Sequence, residues 1–219
     1  MITLLKKSYL ICDKATLNNE DYQSLQDIIQ TQGWIAGVDE VGRGPLAGPV
    51  IASAVILNPS VKITGLWDSK KISAIRRETL SIEIQNKAIA WTLGRADLEE
   101  IDRLNIFQAT LLAMSRAIAT LPVKPKLVLV DGKYCPTSPY PIQGIIQGDQ
   151  KFTPIAAASI IAKVARDQEM VYFDQIYPSY GFKSHKGYPT KDHLTALENL
   201  GPCPIHRRSF RPVKNCLID

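Results

Sequence analysis

Apolar positions along the chain fall into two kinds of pattern, short unbroken runs and stripes that recur every three or four residues. The runs are Trp34-Ile35-Ala36 leading to Asp39, Ala47 to Leu57, Lys87 to Asp97, Leu127 to Val130, and Ile142 to Gln147. They predict strands, and the near-continuous Ala47–Leu57 run suits a central strand buried on both faces. The stripes predict helices. One opens at Asn19-Glu20-Asp21 and runs through Tyr22, Leu25, Ile28 and Ile29. A second has Asp68 or Ser69 as its cap and Ile72, Ile75, Leu80, Ile82 and Ile84 along it. A third is one long helix from Glu99 to Leu121, its inner stripe Ile101, Leu104, Ile106, Leu111, Leu112, Met114 and Ile118. A fourth begins at Pro154 with a small-residue face suited to close packing, and a fifth covers about Lys191 to Leu200.

Strands and helices in alternation place the chain in the α/β class. Residues 1–32 are too few for a core of their own and are expected to form an N-terminal helical extension. Residues 33–219 form one domain, which turns more polar beyond Pro178 into a small helical C-terminal part.

At 219 residues, with 45% hydrophobic and 21% charged positions, the composition is that of an ordinary globular protein. A net charge of +5 leans towards a polyanionic partner. Cys12, Cys135, Cys203 and Cys216 are too scattered for a CxxC or Cys/His metal pattern and read as reduced thiols. Neither a signal peptide nor a membrane-spanning stretch is evident, so a cytoplasmic protein is expected; it is taken as a monomer.

The chemistry concentrates in Gly37-Val38-Asp39-Glu40-Val41-Gly42-Arg43-Gly44-Pro45. Two adjacent carboxylates on an apolar strand are costly to bury without cationic compensation, and hard divalent ions prefer such oxygen ligands. Side chains alternate along a strand, so Asp39 and Glu40 share a face only through a bend or bulge; otherwise one reaches the site from the strand end. Gly42-Arg43-Gly44 lets backbone approach a ligand closely and sets a guanidinium beside it. Strand ends at Asp131 and Asp149 add two further acids. Four such carboxylates suit two divalent ions about 4 Å apart, one activating water and one stabilising a leaving oxygen. Read alone, Asp39-Glu40 also fits a solvated strand end, and Asp131-Gly132 and Gly148-Asp149 fit plain turns. Arg207 and Arg208 fit either a DNA contact or a basic surface, and Lys163 either a site residue or one reaching solvent.

The stretch from Val38 through Gly42-Arg43-Gly44-Pro45 to Val50 resembles the signature of the ribonuclease HII (type 2 ribonuclease H) family. The resemblance continues through Asp68-Ser69-Lys70-Lys71, Asn105 to Thr110, Val130-Asp131-Gly132, Gly148-Asp149, Ala157 to Val164, His185 to Thr190 and His206 to Phe210. It implies a ribonuclease H-like mixed sheet flanked by helices, with Asp39, Glu40, Asp131 and Asp149 as metal-binding catalytic acids for two Mg²⁺ or Mn²⁺ ions. It further implies cleavage 5′ of ribonucleotides in RNA–DNA hybrids and of single ribonucleotides in duplex DNA, leaving 3′-hydroxyl and 5′-phosphate, and a part in ribonucleotide excision repair. Gly42, Arg43 and Gly44 would contact the ribose 2′-hydroxyl and scissile phosphate, Lys70 a phosphate, and Tyr188 the sugar at the RNA-to-DNA junction. The 2′-hydroxyl is what separates RNA from DNA at a site; a nuclease acting on DNA alone would have no use for that loop. A catalytically silent nucleic-acid-binding module is the remaining alternative. The aspartate at 149 and the short N-terminal segment favour ribonuclease HII over ribonuclease HIII. The C-terminus carries no evident sliding-clamp motif.

Overall fold

Strand β1 (Ile35–Val41) pairs antiparallel with β2 (Val50–Ile56), and β2 with β3 (Ala90–Ala96); β4 (Leu127–Asp131) runs parallel to β1, and β5 (Ile142–Ile145) parallel to β4. The sheet order is thus β3-β2-β1-β4-β5, a mixed sheet. This computed structural model describes residues 33–66 and 72–217, so the expected 1–32 helix, Asp68, Ser69 and Lys70 lie outside the described residues. The helices are α1 (Ala74–Lys87), α2 (Leu98–Leu104), α3 (Ile106–Ala119), α4 (Thr153–Ile176), the single turn α5 (Phe182–His185), α6 (Lys191–Leu200) and α7 (Arg211–Asn215).

Period-2 alternation divides the sheet between two helical layers. Ala36, Val38, Ala52, Ala54, Val128 and Val130 pack against Ala113, Met114 and Ile118 of α3. On the other face, Ile35, Leu127 and Leu129 meet Phe152 and Ile155 at the start of α4. Further along α4, Ala156 to Ala158, Ile160 and Ile161 cover Val55 together with Leu80 and Ile84 of α1. Strand β2 is accordingly buried along its whole length, as its apolar run predicts. The small residues of α4 have a measurable purpose. A Cβ on Gly37 would lie 2.0 Å from the carbonyl carbon of Pro154, so the α4 backbone rests directly on β1.

Three expectations need correction. The stripe from Glu99 to Leu121 is two helices, because Asn105 breaks it with φ 70° and ψ 162°. Its side-chain oxygen accepts from the N–H groups of Phe107 and Gln108, so it caps α3 while the hydrophobic period runs on undisturbed. Helix α1 starts later than expected, with Ser73 as cap accepting from the Arg76 N–H; Ile75 and Ile82 face solvent, and the inward stripe is Leu80, Ser81 and Ile84. Strand β5 is only four residues long, and Asp149 lies beyond it in a 3₁₀ turn, Gly148–Gln150, that leads into α4.

Candidate active site

The contact of Gly37 with α4 fixes what happens next along both elements. Two residues up the strand is about 6.6 Å, and four residues up the helix from Ile155 is about 6 Å. Asp39 therefore arrives beside Ser159, which hydrogen-bonds its carboxylate. Because Val38 pairs with Val130 in the parallel ladder, Asp131 sits on the adjacent strand level with Asp39. The alternation of Leu127 and Leu129 towards α4 gives Asp131 the same face. Its Oδ1 accepts from Gly148 N at 2.7 Å and Asp149 N at 3.4 Å, drawing the 3₁₀ turn, and with it Asp149, to the same place. The β1–β2 register is continuous from Ala36 to Val41, with no bulge. Glu40 thus reaches the site from the end of the strand rather than from Asp39's face.

Asp39, Glu40, Asp131 and Asp149 line one cavity of about 340 Å³, together with Val41, Arg77, Ser159, Lys163 and Tyr188. Burial raises the Asp39 carboxyl well above the usual carboxylate range, and the charges of Glu40 and Asp131 add to the rise. Bonds from Ser159 and from the Glu40 N–H, at 2.7 Å, oppose it. Among the described residues no three His, Cys, Asp or Glu side chains are drawn tightly enough to hold an ion as they stand.

Two cations reach the cavity from the helices. Lys163 pairs with Asp167 at 2.6 Å, and Arg77 of α1 lies 3.7 Å from the same carboxylate while donating to Ile72 O at 3.0 Å. Burial lowers the Lys163 ammonium below its usual value, with the Asp167 pair opposing. Lys163 is thus a cavity residue, and Asp167 and Glu169, which pairs with Arg95, are ion-pair acids. Arg77 and Ser159 were not legible beforehand: nothing in an α1 stripe or a small-residue helix distinguishes them.

The Gly42–Pro49 loop follows directly on Val41 of the cavity wall, and its shape is set by two buried arginines. Arg207 donates to the carbonyls of Gly42, Arg43, Pro45, Gly48 and Pro49 at 2.5–3.3 Å. Arg166 donates to Ala47, Pro49 and Lys186 carbonyls at 2.9–3.0 Å. Both are fully buried and pair with no carboxylate among the described residues. Burial first, and Arg166's charge second, lower the Arg207 guanidinium to about 9, still charged at neutral pH. Arg207 is therefore neither a DNA contact nor a basic surface. Arg208 is anchored by its backbone N–H to Asp102. Gly42 has φ 97°, and a Cβ there would meet Arg166 Nε at 2.4 Å; the bare backbone serves the arginine packing as well as any ligand. The Arg43 side chain is half-exposed, 3.5 Å from Glu40. Across the loop, a Cβ on Gly44 would stand 3.6 Å from the partly exposed Tyr188 ring.

A mixed sheet with helices on both faces and acids gathered where β1 and β4 end is the ribonuclease H-like architecture. A family model described as Ribonuclease HII matches residues 36–213. The chain belongs to the ribonuclease HII family and is a ribonuclease H, a hydrolase with endonuclease activity. It is 62% identical over 183 residues to the ribonuclease HII of Nitrosococcus oceani, covering 84% of this chain and 91% of that one. Among solved structures it resembles the ribonuclease H2 of Pyrococcus horikoshii OT3 (TM-score 0.69, 26% identity, 84% of this chain and 96% of that chain). It also resembles the RNase HII of Archaeoglobus fulgidus solved in complex with PCNA (TM-score 0.67, 25% identity, 81% and 95%). Among the described residues no helix is long and apolar enough to cross a membrane.

Proposed function

We propose that this cavity hydrolyses the phosphodiester on the 5′ side of a ribonucleotide, both in RNA–DNA hybrids and at single ribonucleotides in duplex DNA. The observation that carries the reading is the convergence of four carboxylates from β1, β4 and the 3₁₀ turn on one cavity that Tyr188 also lines, with Gly42-Arg43-Gly44 following directly on Val41 of its wall. The donor set fits divalent metal: the oxygens are hard, and the buried Asp39 carries a like-charge burden that a cation relieves. Asp39, Glu40, Asp131 and Asp149 would hold two Mg²⁺ or Mn²⁺ ions, which when bound supply an activated water and neutralise charge on the phosphate.

The chain's own groups do the rest. Ser159 and the Glu40 N–H fix the Asp39 carboxylate, and Gly148 N fixes that of Asp131, so the acids are oriented before substrate arrives. Lys163 and Arg77 place positive charge on the cavity wall for the phosphate. Held by Arg207, the loop presents its backbone and the Arg43 side chain to the ribose and scissile phosphate. Tyr188 offers its exposed ring edge to the sugar beyond the RNA-to-DNA junction. Lys70, a phosphate contact in the same reading, lies outside the described residues.

The test is a change of preference. Arg43→Ala and Tyr188→Ala are each expected to lower kcat/KM on a single-ribonucleotide duplex roughly tenfold relative to a continuous hybrid, the scale of one lost stacking or phosphate contact. Steady-state kinetics on the two substrates check this. An unchanged ratio in both variants would remove the loop and Tyr188 from junction sensing.

A further inference from the structure

All three histidines of the chain, His185, His193 and His206, meet beneath Tyr188 together with Cys203. Such a set invites a zinc assignment, and the hydrogen bonds refuse it. His185 Nε2 lies 2.7 Å from the Tyr180 carbonyl, and its Nδ1 accepts from Gly187 N at 3.1 Å. His206 Nδ1 accepts from Cys203 N at 3.0 Å. His193 Nδ1 lies 2.9 Å from the Tyr188 carbonyl, and the remaining nitrogens, His193 Nε2 and His206 Nε2, face each other at 3.0 Å. No ring nitrogen is left for an ion.

The same partners dictate every proton. A carbonyl can only accept, so His193 carries its proton on Nδ1; a backbone N–H can only donate, so His206 carries its own on Nε2. The neutral pair then reads in one direction: Cys203 N–H to His206 Nδ1, His206 Nε2–H to His193 Nε2, His193 Nδ1–H to the carbonyl of Tyr188. A proton added to His193 Nε2 would face the His206 N–H, and one added to His206 Nδ1 would face the Cys203 N–H, in a buried site where both rings are essentially inaccessible. Burial, which lowers both imidazoles (His206 to about 4), keeps the pair neutral.

The relay ends at a residue of the candidate site and begins beside the loop arginine. Its second member, His206, bridges to Ala47 of the Gly42–Pro49 loop and precedes Arg207. The Tyr188 backbone is otherwise held by its N–H to His185 O and by Thr190 N to its carbonyl. We propose that His193 and His206 are positioning residues: a tautomer-locked relay that sets the Tyr188 ring against Gly44 and over the cavity, and so tunes discrimination at the ribonucleotide. The inference rests on the reading of Tyr188 given above.

Two measurements on the full chain test it. Long-range ¹H–¹⁵N correlation of the histidine rings at pH 7 should show His193 and His206 as neutral imidazoles, His193 protonated on Nδ1 and His206 on Nε2. A His193 protonated on Nε2, or a cationic His193 or His206, would overturn the relay. In a double-mutant cycle, His193→Phe should lower the single-ribonucleotide preference about as much as Tyr188→Ala, and the double variant no further than Tyr188→Ala alone. His193→Asn, whose amide can still donate to the Tyr188 carbonyl, should keep most of the preference even if the phenylalanine variant folds poorly. Effects of His193→Phe and Tyr188→Ala that multiply, or a loss in His193→Asn as large as in His193→Phe, would contradict positioning through Tyr188. Wild-type preference in Tyr188→Ala would instead overturn the role of Tyr188 itself, whatever the ring tautomers prove to be.

Discussion

Asp39→Asn is expected to lower kcat roughly 10³-fold or more, the scale for removing a group that acts as part of one catalytic unit. At the same time it should stabilise the protein in chelator. Asp39 is a carboxyl whose folded-state value is raised by burial and by Glu40 and Asp131. Above the unfolded value, near 3.9, the unfolded chain gives up this proton while the folded chain still holds it. The contribution of this group therefore falls as pH rises from that value through the folded one, and at neutral pH the variant escapes the cost. A gain of about 1–3 kcal/mol, or about 2–4 °C in Tm for each kcal/mol, is expected from scanning calorimetry in EDTA near pH 7.5. With Mg²⁺ added, the wild type should recover more stability than the variant, since ligand binding to the native state adds to it. Wild-type turnover by the variant, or a variant less stable than wild type in chelator, would remove Asp39 from the metal site.

Arg207→Ala should cost about 3–5 kcal/mol of folding stability, because five carbonyls lose a shared buried donor. Under conditions where the variant stays folded, kcat/KM should fall about 10²-fold on both substrates, as expected when groups around the chemistry lose their placement. Arg207→Lys keeps the charge but lacks the planar fork, and should lie between. Urea unfolding with parallel kinetics checks both. A near-neutral alanine variant would show that the Gly42–Pro49 loop holds its form without the guanidinium.

The apolar runs placed acids near strand ends but left each open to a solvated or turn reading; only the resemblance grouped Asp39, Glu40, Asp131 and Asp149, which the structure brings to one cavity. Asp149 was placed in the set by the resemblance, and its manner of arrival was not readable. The strand expected to carry it stops at Ile145, and the Asp131 carboxylate pulls the following turn into place. The break at Asn105 was hidden because α2 and α3 share one hydrophobic period across it. Arg166 and Arg207 were unreadable for a deeper reason. Arginine is a surface residue by default, and only the three-dimensional return of the C-terminal segment to the Gly42–Pro49 loop gives these two a shell of carbonyls. The histidine relay was hidden likewise, His193 and His206 standing 13 residues apart along a segment that reads as polar.

The most direct measurement uses a labelled DNA duplex holding one ribonucleotide, with an all-DNA duplex and a continuous RNA–DNA hybrid as controls, each with Mg²⁺ and with chelator. The account predicts metal-dependent cleavage 5′ of the lone ribonucleotide, cleavage of the hybrid, and an intact all-DNA duplex. Cleavage of the hybrid alone would contradict the junction-reading role of Gly42-Arg43-Gly44 and Tyr188, and undiminished cleavage in chelator would contradict the role of the four carboxylates.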